Sequence, residues 1–166
     1  MNCRIILDVK MEDFRRKYRF VAGGHVTETP SPIMYASVVS RETVMIVPTL
    51  SVLNDLPVKV VDIHNAYITA SVTENIWTVL GQEFDEDAGR KAILVRALYG
   101  LKSAGAAFRY NLEDCMHHLG FLPFPTDLNI WMKPMVRPED GFDYYAYVQI
   151  YLDDVIVIHH NTESVL

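Results

Sequence analysis

The sequence predicts a single domain of the α+β class whose strands form an antiparallel sheet. Three observations support this prediction. Strand-like and helix-like segments alternate irregularly, one segment carries apolar residues at helical spacing over several turns, and two strand-like runs near the end are joined by only three residues. A chain of 166 residues, of which 50% are hydrophobic and 22% are charged, can also bury a core without disulfide bonds.

The first predicted elements are two strands and a helix. Residues 9–21 have the pattern of two short strands joined by a charged turn at Glu12 and Asp13. Residues 40–54 form a predicted helix, which Pro48 should kink or break because an interior proline costs about 3 kcal/mol. The apolar residues at helical spacing on one side of this helix are Val44, Val47, Leu50 and Leu53.

The middle of the chain has strand character. Its β-branched or apolar runs of strand length are residues 58–63, 76–80 and 93–95. An acidic loop, residues 83–87, lies between the last two runs. Trp77 and Trp131 are expected to be core residues rather than platforms on which bases stack.

The last predicted elements are a helix and a hairpin. Residues 103–119 form the helix and Gly120 ends it. Two strand-like runs, residues 144–151 and 155–158, follow and predict a tight hairpin with acidic residues at its tip. The apolar side of the helix is formed by Phe108, Leu112, either Cys115 or Met116, and Leu119.

The charge is distributed unevenly along the chain. The net charge is −6, but residues 1–25 carry six basic and three acidic side chains, a local charge of +3. Residues 111–166 carry two basic and nine acidic side chains, a local charge of −7. One end could therefore bind phosphates and the other cations. The alternative, which the charge alone favours, is an acidic solvated surface beside a basic strand pair.

Cysteine content and hydropathy bear on the cellular setting. The two cysteines, Cys3 and Cys115, do not form a CxxC pair, which excludes a disulfide scaffold and a thiolate zinc site. The apolar runs are far shorter than the ~20 residues of a membrane-spanning helix. We therefore expect an intracellular protein, cytoplasmic or nuclear, with no membrane partner. The histidine pairs at 117–118 and 159–160 are not expected to bind a transition metal.

Three acidic residues stand out chemically. Asp153 and Asp154 lie between two apolar strands, and Asp62 ends another apolar strand. Alone, an Asp-Asp pair in a hairpin most often serves the turn itself. A third carboxylate beside it would form a cluster that needs cations to stay ionised, and two Mg²⁺ ions about 3.5–4 Å apart catalyse in-line attack on phosphorus.

Several short segments over nearly the whole chain form a specific series. They are RKYRFVAGGH at 16–25, YASVVS at 35–40, VDIHNAY at 61–67, RALYGLKS at 96–103, LGF at 119–121, Asp127 with IWM at 130–132, and YLDD at 151–154. In order and spacing they resemble the reverse transcriptases of copia/Ty-type LTR retrotransposons. The resemblance implies a right-hand polymerase without its thumb, with fingers-side strands and helix in about residues 1–57 and mainly palm in about residues 58–166.

The resemblance also implies the catalytic residues. Asp62, Asp153 and Asp154 match the metal-binding triad of the family, with the main-chain carbonyl of Ile63 beside it. They would hold two Mg²⁺ ions, with Mn²⁺ as the alternative ion. The implied reaction is RNA-directed DNA synthesis, in which a primer 3′-OH attacks the α-phosphorus of a dNTP.

Four further residues match dNTP-binding positions. Lys17 and Arg19 match positions that clamp the triphosphate, although a solvated strand face is the alternative. Tyr67 matches an aromatic residue that excludes a 2′-OH, and a core aromatic is the alternative. Ser103 stands where many members have a nucleotide-contacting Gln, and it could instead cap the following helix.

The implied partners are an RNA or DNA template with its primer, a dNTP, and the thumb, RNase H and integrase segments of a polyprotein. A rival hypothesis is a truncated, catalytically inactive retrotransposon relic. The intact acidic residues favour the polymerase, whereas the short chain, its acidity and Pro48 favour the relic.

Overall fold

The structure is a computed structural model that describes residues 1–11, 13–26 and 41–165. Glu12 of the predicted turn, the segment 35–40 and the first residue of the predicted helix lie outside the described residues. The chain forms two compact units, one of residues 1–36 and 65–111 and the other of residues 37–64 and 112–166.

Helices and strands are mixed, and strands pair antiparallel within the sheets, so the predicted α+β class is confirmed. The α-helices are α1 (Arg41–Leu53), α2 (Ala66–Thr69) and α3 (Ala104–His118). The strands are β1 (Cys3–Val9), β2 (Arg16–Ala22), β3 (Val58–Asp62), β4 (Trp77–Val79), β5 (Lys91–Ile93), β6 (Leu122–Phe124), β7 (Asp127–Val136), β8 (Asp143–Tyr151) and β9 (Asp154–Ile158). No helix in the described part of the chain is long and apolar enough to span a bilayer.

The unit of residues 1–36 and 65–111 contains two small sheets, β1–β2 and β4–β5. The predicted N-terminal hairpin is confirmed, but its first strand begins at Cys3 rather than near Val9. The base of the hairpin is tied to the segment that follows β5. Ala22 donates its N–H to the carbonyl oxygen of Tyr99 over 2.7 Å. Gly100, with a φ of 90°, leaves no room for a side chain because a Cβ atom there would lie 2.2 Å from the Ala22 oxygen.

The unit of residues 37–64 and 112–166 is built on a five-stranded antiparallel sheet in the order β3-β9-β8-β7-β6. Helix α1 packs on β8 and β9. Both faces of the sheet contain buried residues. Ile130, Gln149 and Ile158 are buried on one face. A second set, on the opposite face, alternates with them along the central strands. These residues are Trp131, Ala146, Val148, Ile150, Val155 and Val157.

Helix α1 differs from its prediction in two respects. It continues through Pro48, so the helix is not broken there. Its buried residues are Thr43, Val47 and Ser51, whereas Leu53, predicted on the core side, is 75% exposed. The small polar residues can face the core because their hydroxyls are bonded. That of Ser51 donates to the Leu56 carbonyl oxygen over 2.6 Å.

Helix α3 agrees closely with its prediction. Phe108, Leu112 and Met116 are buried at a regular spacing of four residues, while Leu119 is exposed. Cys115, the alternative to Met116, is exposed. Gly120, with a φ of 79°, follows the helix as expected.

The two tryptophans have different environments. Trp131 on β7 is 2% exposed, as predicted, and the ring of His117 packs edge-on against it. Trp77 on β4 is 55% exposed, so its assignment to the core was wrong. Strand β4 belongs to a two-stranded sheet, which leaves more of its surface to solvent than a central strand has.

Candidate active site

The β8–β9 hairpin has a two-residue turn. Tyr151 pairs with Asp154, so Leu152 and Asp153 form the turn between them. Leu152 has a φ of 54°, in the left-handed region that short hairpin turns use. The predicted hairpin is confirmed, and Asp154 is the first residue of β9.

Asp62 and Asp154 lie opposite each other in the ladder of β3 and β9. Opposed residues of an antiparallel pair have Cα atoms about 4.5–5.5 Å apart and side chains on the same face. Both residues are exposed. Two like charges in these positions repel each other, so a cation shared by the carboxylates would stabilise the pair.

Asp153 is held at the same corner of the sheet through its backbone. The N–H of Ile63 donates to the Asp153 carbonyl oxygen over 2.7 Å. This bond fixes the hairpin turn against the residue that follows Asp62. The structure therefore places Asp62, Ile63, Asp153 and Asp154 at one corner of the sheet.

The donor atoms at this corner suit a hard divalent cation. Mg²⁺ prefers oxygen ligands and is usually held by one or two carboxylates together with substrate phosphates. Within residues 1–11, 13–26 and 41–165, no group of three His, Cys, Asp or Glu side chains is arranged to hold a metal ion by itself. The two opposed carboxylates are oxygen donors of the kind that Mg²⁺ prefers.

Tyr67 lies in the short helix α2, which begins after Asn65 in a left-handed conformation with a φ of 55°. Its half-buried ring packs edge-on against two other rings. The ring centroids are 4.6 Å from that of Tyr99 and 6.0 Å from that of Phe108. These contacts restrict the movement of the Tyr67 ring. A residue that excludes a hydroxyl group by its shape would require such a restricted ring.

Lys17 and Arg19 lie on one face of β2, and Tyr18 lies on the other. Both basic side chains are half-buried. On the neighbouring strand Asp8 stands opposite Lys17, and its carboxylate forms an ion pair of 3.6 Å with Arg19. The two cations are therefore arranged as a pair beside a single carboxylate.

Ser103 immediately precedes α3. Its carbonyl oxygen accepts a hydrogen bond from the N–H of Ala107 over 2.9 Å, and this bond closes the first turn of the helix. Ser103 is half-buried, and its position is that of a helix N-cap residue.

Residues 6–165 match the reverse transcriptase (RNA-dependent DNA polymerase) family. The chain belongs to this family. Two polyproteins of Arabidopsis thaliana are similar to the reverse transcriptase domain, the retrovirus-related Pol polyproteins from transposons RE1 and RE2. Each is 26% identical, over 89% and 98% of the present chain respectively. These relatives confirm the predicted resemblance to copia-type reverse transcriptases.

The reverse transcriptase domain spans about a tenth of the length of these polyproteins, 10% of the first and 11% of the second. No solved structure is significantly similar to it.

Two contacts of the reverse transcriptase domain were not predicted from the sequence. One is the ion pair of Asp8 with Arg19, which correct pairing of β1 with β2 would have indicated. The other involves Arg96, whose guanidinium donates to the Thr69 carbonyl oxygen over 3.0 Å and to the Ser71 hydroxyl over 3.4 Å. Arg96 thereby links the end of α2 to the RALYGLKS segment.

Proposed function

We propose that this reverse transcriptase domain carries the nucleotidyl-transfer site of a copia-type retrotransposon polyprotein. It would extend a primer 3′-OH with dNTPs on an RNA or DNA template. The observation that supports this most directly is the opposition of Asp62 and Asp154, with Asp153 held beside them by the Ile63 N–H.

Asp62, Asp153, Asp154 and the main-chain carbonyl of Ile63 would hold two Mg²⁺ ions, with Mn²⁺ as the alternative ion. When bound, such ions lower the pKa of the attacking hydroxyl and neutralise the oxygens of the leaving pyrophosphate. The carboxylates supply the negative charge that retains the ions. The β3–β9 ladder and the Ile63–Asp153 bond supply the fixed position, which matters because phosphoryl transfer depends on alignment.

The nucleotide would be bound by residues of three other segments. Lys17 and Arg19 would bind the triphosphate, and Asp8 would keep the Arg19 guanidinium in place through their ion pair. Tyr67 would exclude a ribose 2′-OH with a ring that Tyr99 and Phe108 support. Ser103, before α3, would lie near the nucleotide as the counterpart of the family's Gln.

In this proposal about residues 1–57 are the fingers-side part and about residues 58–166 are mainly palm. The thumb, RNase H and integrase segments of the polyprotein would be its protein partners, inside the cell. Residues 111–166 carry a local charge of −7, which repels a phosphate backbone, so we expect the 166 residues alone to bind duplex weakly.

Primer extension on an RNA template tests the proposal. Residues 1–166 alone should give no measurable dNTP incorporation. The same residues joined to a matching thumb segment should incorporate dNTPs, because the added segment would supply basic contacts to the duplex.

Asp153→Asn in the joined protein should abolish incorporation, since an amide does not supply the charge that retains Mg²⁺. The matched control is Asp143→Asn, which removes an exposed carboxylate at the far end of β8 and should leave incorporation unchanged. An active Asp153→Asn protein would refute the catalytic assignment, and an inactive joined protein would support the relic hypothesis.

A further inference from the structure

Helix α2, which carries Tyr67, has little packing of its own. It is a single turn of four residues, and an isolated helix this short is not stable in water. Of residues 66–70, only Ala66 and Ala70 are buried, and each contributes no more than a methyl group. Because apolar burial stabilises in proportion to its area, two methyl groups contribute little. The position of Tyr67 therefore depends on contacts with other segments.

Two neighbouring segments each supply a ring to Tyr67. The RALYGLKS segment, residues 96–103, supplies Tyr99, and helix α3 supplies Phe108. Their ring centroids lie 4.6 Å and 6.0 Å from that of Tyr67. All three residues belong to the unit of residues 1–36 and 65–111. Edge-on aromatic pairs attract each other beyond the area that they bury, so both segments restrict the Tyr67 ring.

The same two segments each supply a hydrogen-bond donor to Thr69, the last residue of α2. Arg96, three residues before Tyr99, donates from Nη1 to the Thr69 carbonyl oxygen over 3.0 Å. Asn111, three residues after Phe108, donates from Nδ2 to the Thr69 hydroxyl oxygen over 3.3 Å. Residues three apart in a helix lie on one face, so Asn111 and Phe108 reach α2 together. Each segment therefore binds α2 by one ring and one polar group.

The contacts of Thr69 are connected to the backbone around Tyr67. The Thr69 hydroxyl also donates to the carbonyl oxygen of Ala66, the residue before Tyr67, over 2.6 Å. The N–H of Ala70 donates to the Tyr67 carbonyl oxygen over 3.1 Å, and the Ala70 carbonyl oxygen accepts the N–H of Ala97 over 3.0 Å. The turn that carries Tyr67 is thus linked to both neighbouring segments by its backbone and by Thr69.

We infer that Arg96 and Thr69 are positioning residues for the discrimination between deoxyribonucleotides and ribonucleotides. The inference rests on the proposed function, in which the Tyr67 ring excludes a ribose 2′-OH. Exclusion by shape requires a ring that stays in place, because a ring that shifts aside leaves room for the hydroxyl. Arg96 and Thr69 act through the turn of α2 rather than by contact with the nucleotide. Both are exposed, so losing one of their bonds should loosen this turn without unfolding the unit.

The ratio of kcat/KM for dCTP to kcat/KM for CTP in the joined polymerase tests the inference. Arg96→Met removes the donor and keeps a long side chain, and Thr69→Val removes the hydroxyl and keeps the branched shape. Each should lower the ratio about three- to tenfold, the effect of losing about one hydrogen bond. A general loss of structure would instead lower both kcat/KM values and leave their ratio unchanged.

Two further variants serve as controls. Thr69→Ser keeps the hydroxyl, so it should keep the ratio of the unmodified protein. Arg90→Met removes another exposed arginine of the same unit, one that forms an ion pair with Asp87, and it should also keep the ratio. A ratio that falls as far in these controls as in Arg96→Met and Thr69→Val would overturn the inference.

The double variant Tyr67→Val/Arg96→Met separates the inference from the proposed function. Arg96→Met should not lower the ratio further when the Tyr67 ring is already absent, because no ring remains to be positioned. A further fall would show that Arg96 acts by another route and would overturn the inference. If Tyr67→Val lowers the ratio but Arg96→Met and Thr69→Val do not, the inference alone fails. If Tyr67→Val leaves the ratio unchanged, the proposed role of Tyr67 fails as well.

Hydrogen exchange of the 166-residue chain, followed by mass spectrometry, measures the stability of α2 without catalysis. The N–H groups of Ile68 and Ala70 are bonded to the carbonyl oxygens of Asn65 and Tyr67, which should protect peptides that cover residues 66–70. These peptides should exchange at least about threefold faster in Arg96→Met and Thr69→Val than in the unmodified chain and the two controls. Equal exchange rates in all five proteins would overturn the inference, whether or not the joined polymerase is active.

Discussion

Asp62 stands directly opposite Asp154 in the ladder of β3 and β9, and the next residue, Ile63, is bonded to the Asp153 carbonyl oxygen. Acidic residues from distant parts of the sequence therefore share one corner of the sheet. Opposed carboxylates repel each other unless a cation lies between them. Cation binding is the property of this corner that can be measured most directly.

Removing one carboxylate of the opposed pair should weaken Mn²⁺ binding by at least about tenfold, because each charged oxygen ligand contributes strongly to a hard cation site. Mn²⁺ electron paramagnetic resonance, with dTTP present, measures this for Asp62→Asn and Asp154→Asn. Asp143→Asn, at the opposite end of β8, should bind like the unmodified chain. Equal affinities in all four proteins would exclude a cation site at this corner.

Tyr67→Val should reduce the preference for dCTP over CTP by about tenfold or more in the joined polymerase, because the ring that would meet the 2′-OH is lost. The ratio of kcat/KM values for the two nucleotides measures it. Tyr67→Phe keeps the ring and its contacts with Tyr99 and Phe108, so its preference should be nearly unchanged. A Tyr67→Val protein that still rejects CTP would show that Tyr67 is only a core residue.

Stability should fall as the pH falls below about 6.5, the usual pKa of histidine. Burial lowers the pKa of His159, which is 7% exposed and whose Nδ1 accepts the Asn161 N–H over 2.8 Å. Between its folded and unfolded pKa values the unfolded chain binds a proton that the folded chain does not, so stability is full above the unfolded value and is lost toward lower pH.

Thermal unfolding at about pH 7.5 and about pH 5.5 measures this dependence. His159→Gln retains an acceptor but has no proton to gain, so its Tm should change less between the two pH values. His118→Gln, an exposed residue of α3, should behave like the unmodified chain. Equal pH dependence in all three proteins would contradict the assignment to His159.

Gly100→Ala should destabilise the protein by at least about 2 kcal/mol more than Gly89→Ala. Both glycines have a positive φ, so both substitutions cost about 1–3 kcal/mol of backbone strain. A Cβ at Gly100 would also lie 2.2 Å from the Ala22 oxygen, whereas one at Gly89 has nothing within 4 Å. Urea unfolding compares the two, and equal costs would show that the segment around Gly100 moves aside freely.

Elements whose local pattern and packing agree could be predicted from the sequence. Helix α3 has apolar residues every fourth position and a terminal glycine, and the β8–β9 hairpin has two apolar runs around a short polar turn. Both were predicted within a few residues. The acidic residues of the corner were identified for the same reason, since a strand end and a hairpin tip are local features.

Strand β7 was missed because its local pattern conflicts with its position. It lies between β6 and β8 in the sheet, yet it contains Lys133 and Pro134, and proline lacks the N–H that a ladder uses. Tertiary pairing outweighs this local preference. Helix α1 shows the same effect at Thr43, whose buried hydroxyl donates to the carboxylate of Asp127, 84 residues further along the chain.

The sheet order also has a consequence for biosynthesis. Strand β3 lies at the edge of the sheet and pairs with β9, and more than ninety residues separate Asp62 from Asp154. During translation β3 is synthesised before β9, so the two strands cannot pair until the residues between them have left the ribosome. Such long-range pairing is slow to form. A nascent chain interrupted before residue 154 contains β3 without β9. The opposed carboxylates therefore come together only after β9 has been synthesised and has paired with β3, so a cation at this corner would report that this pairing has formed.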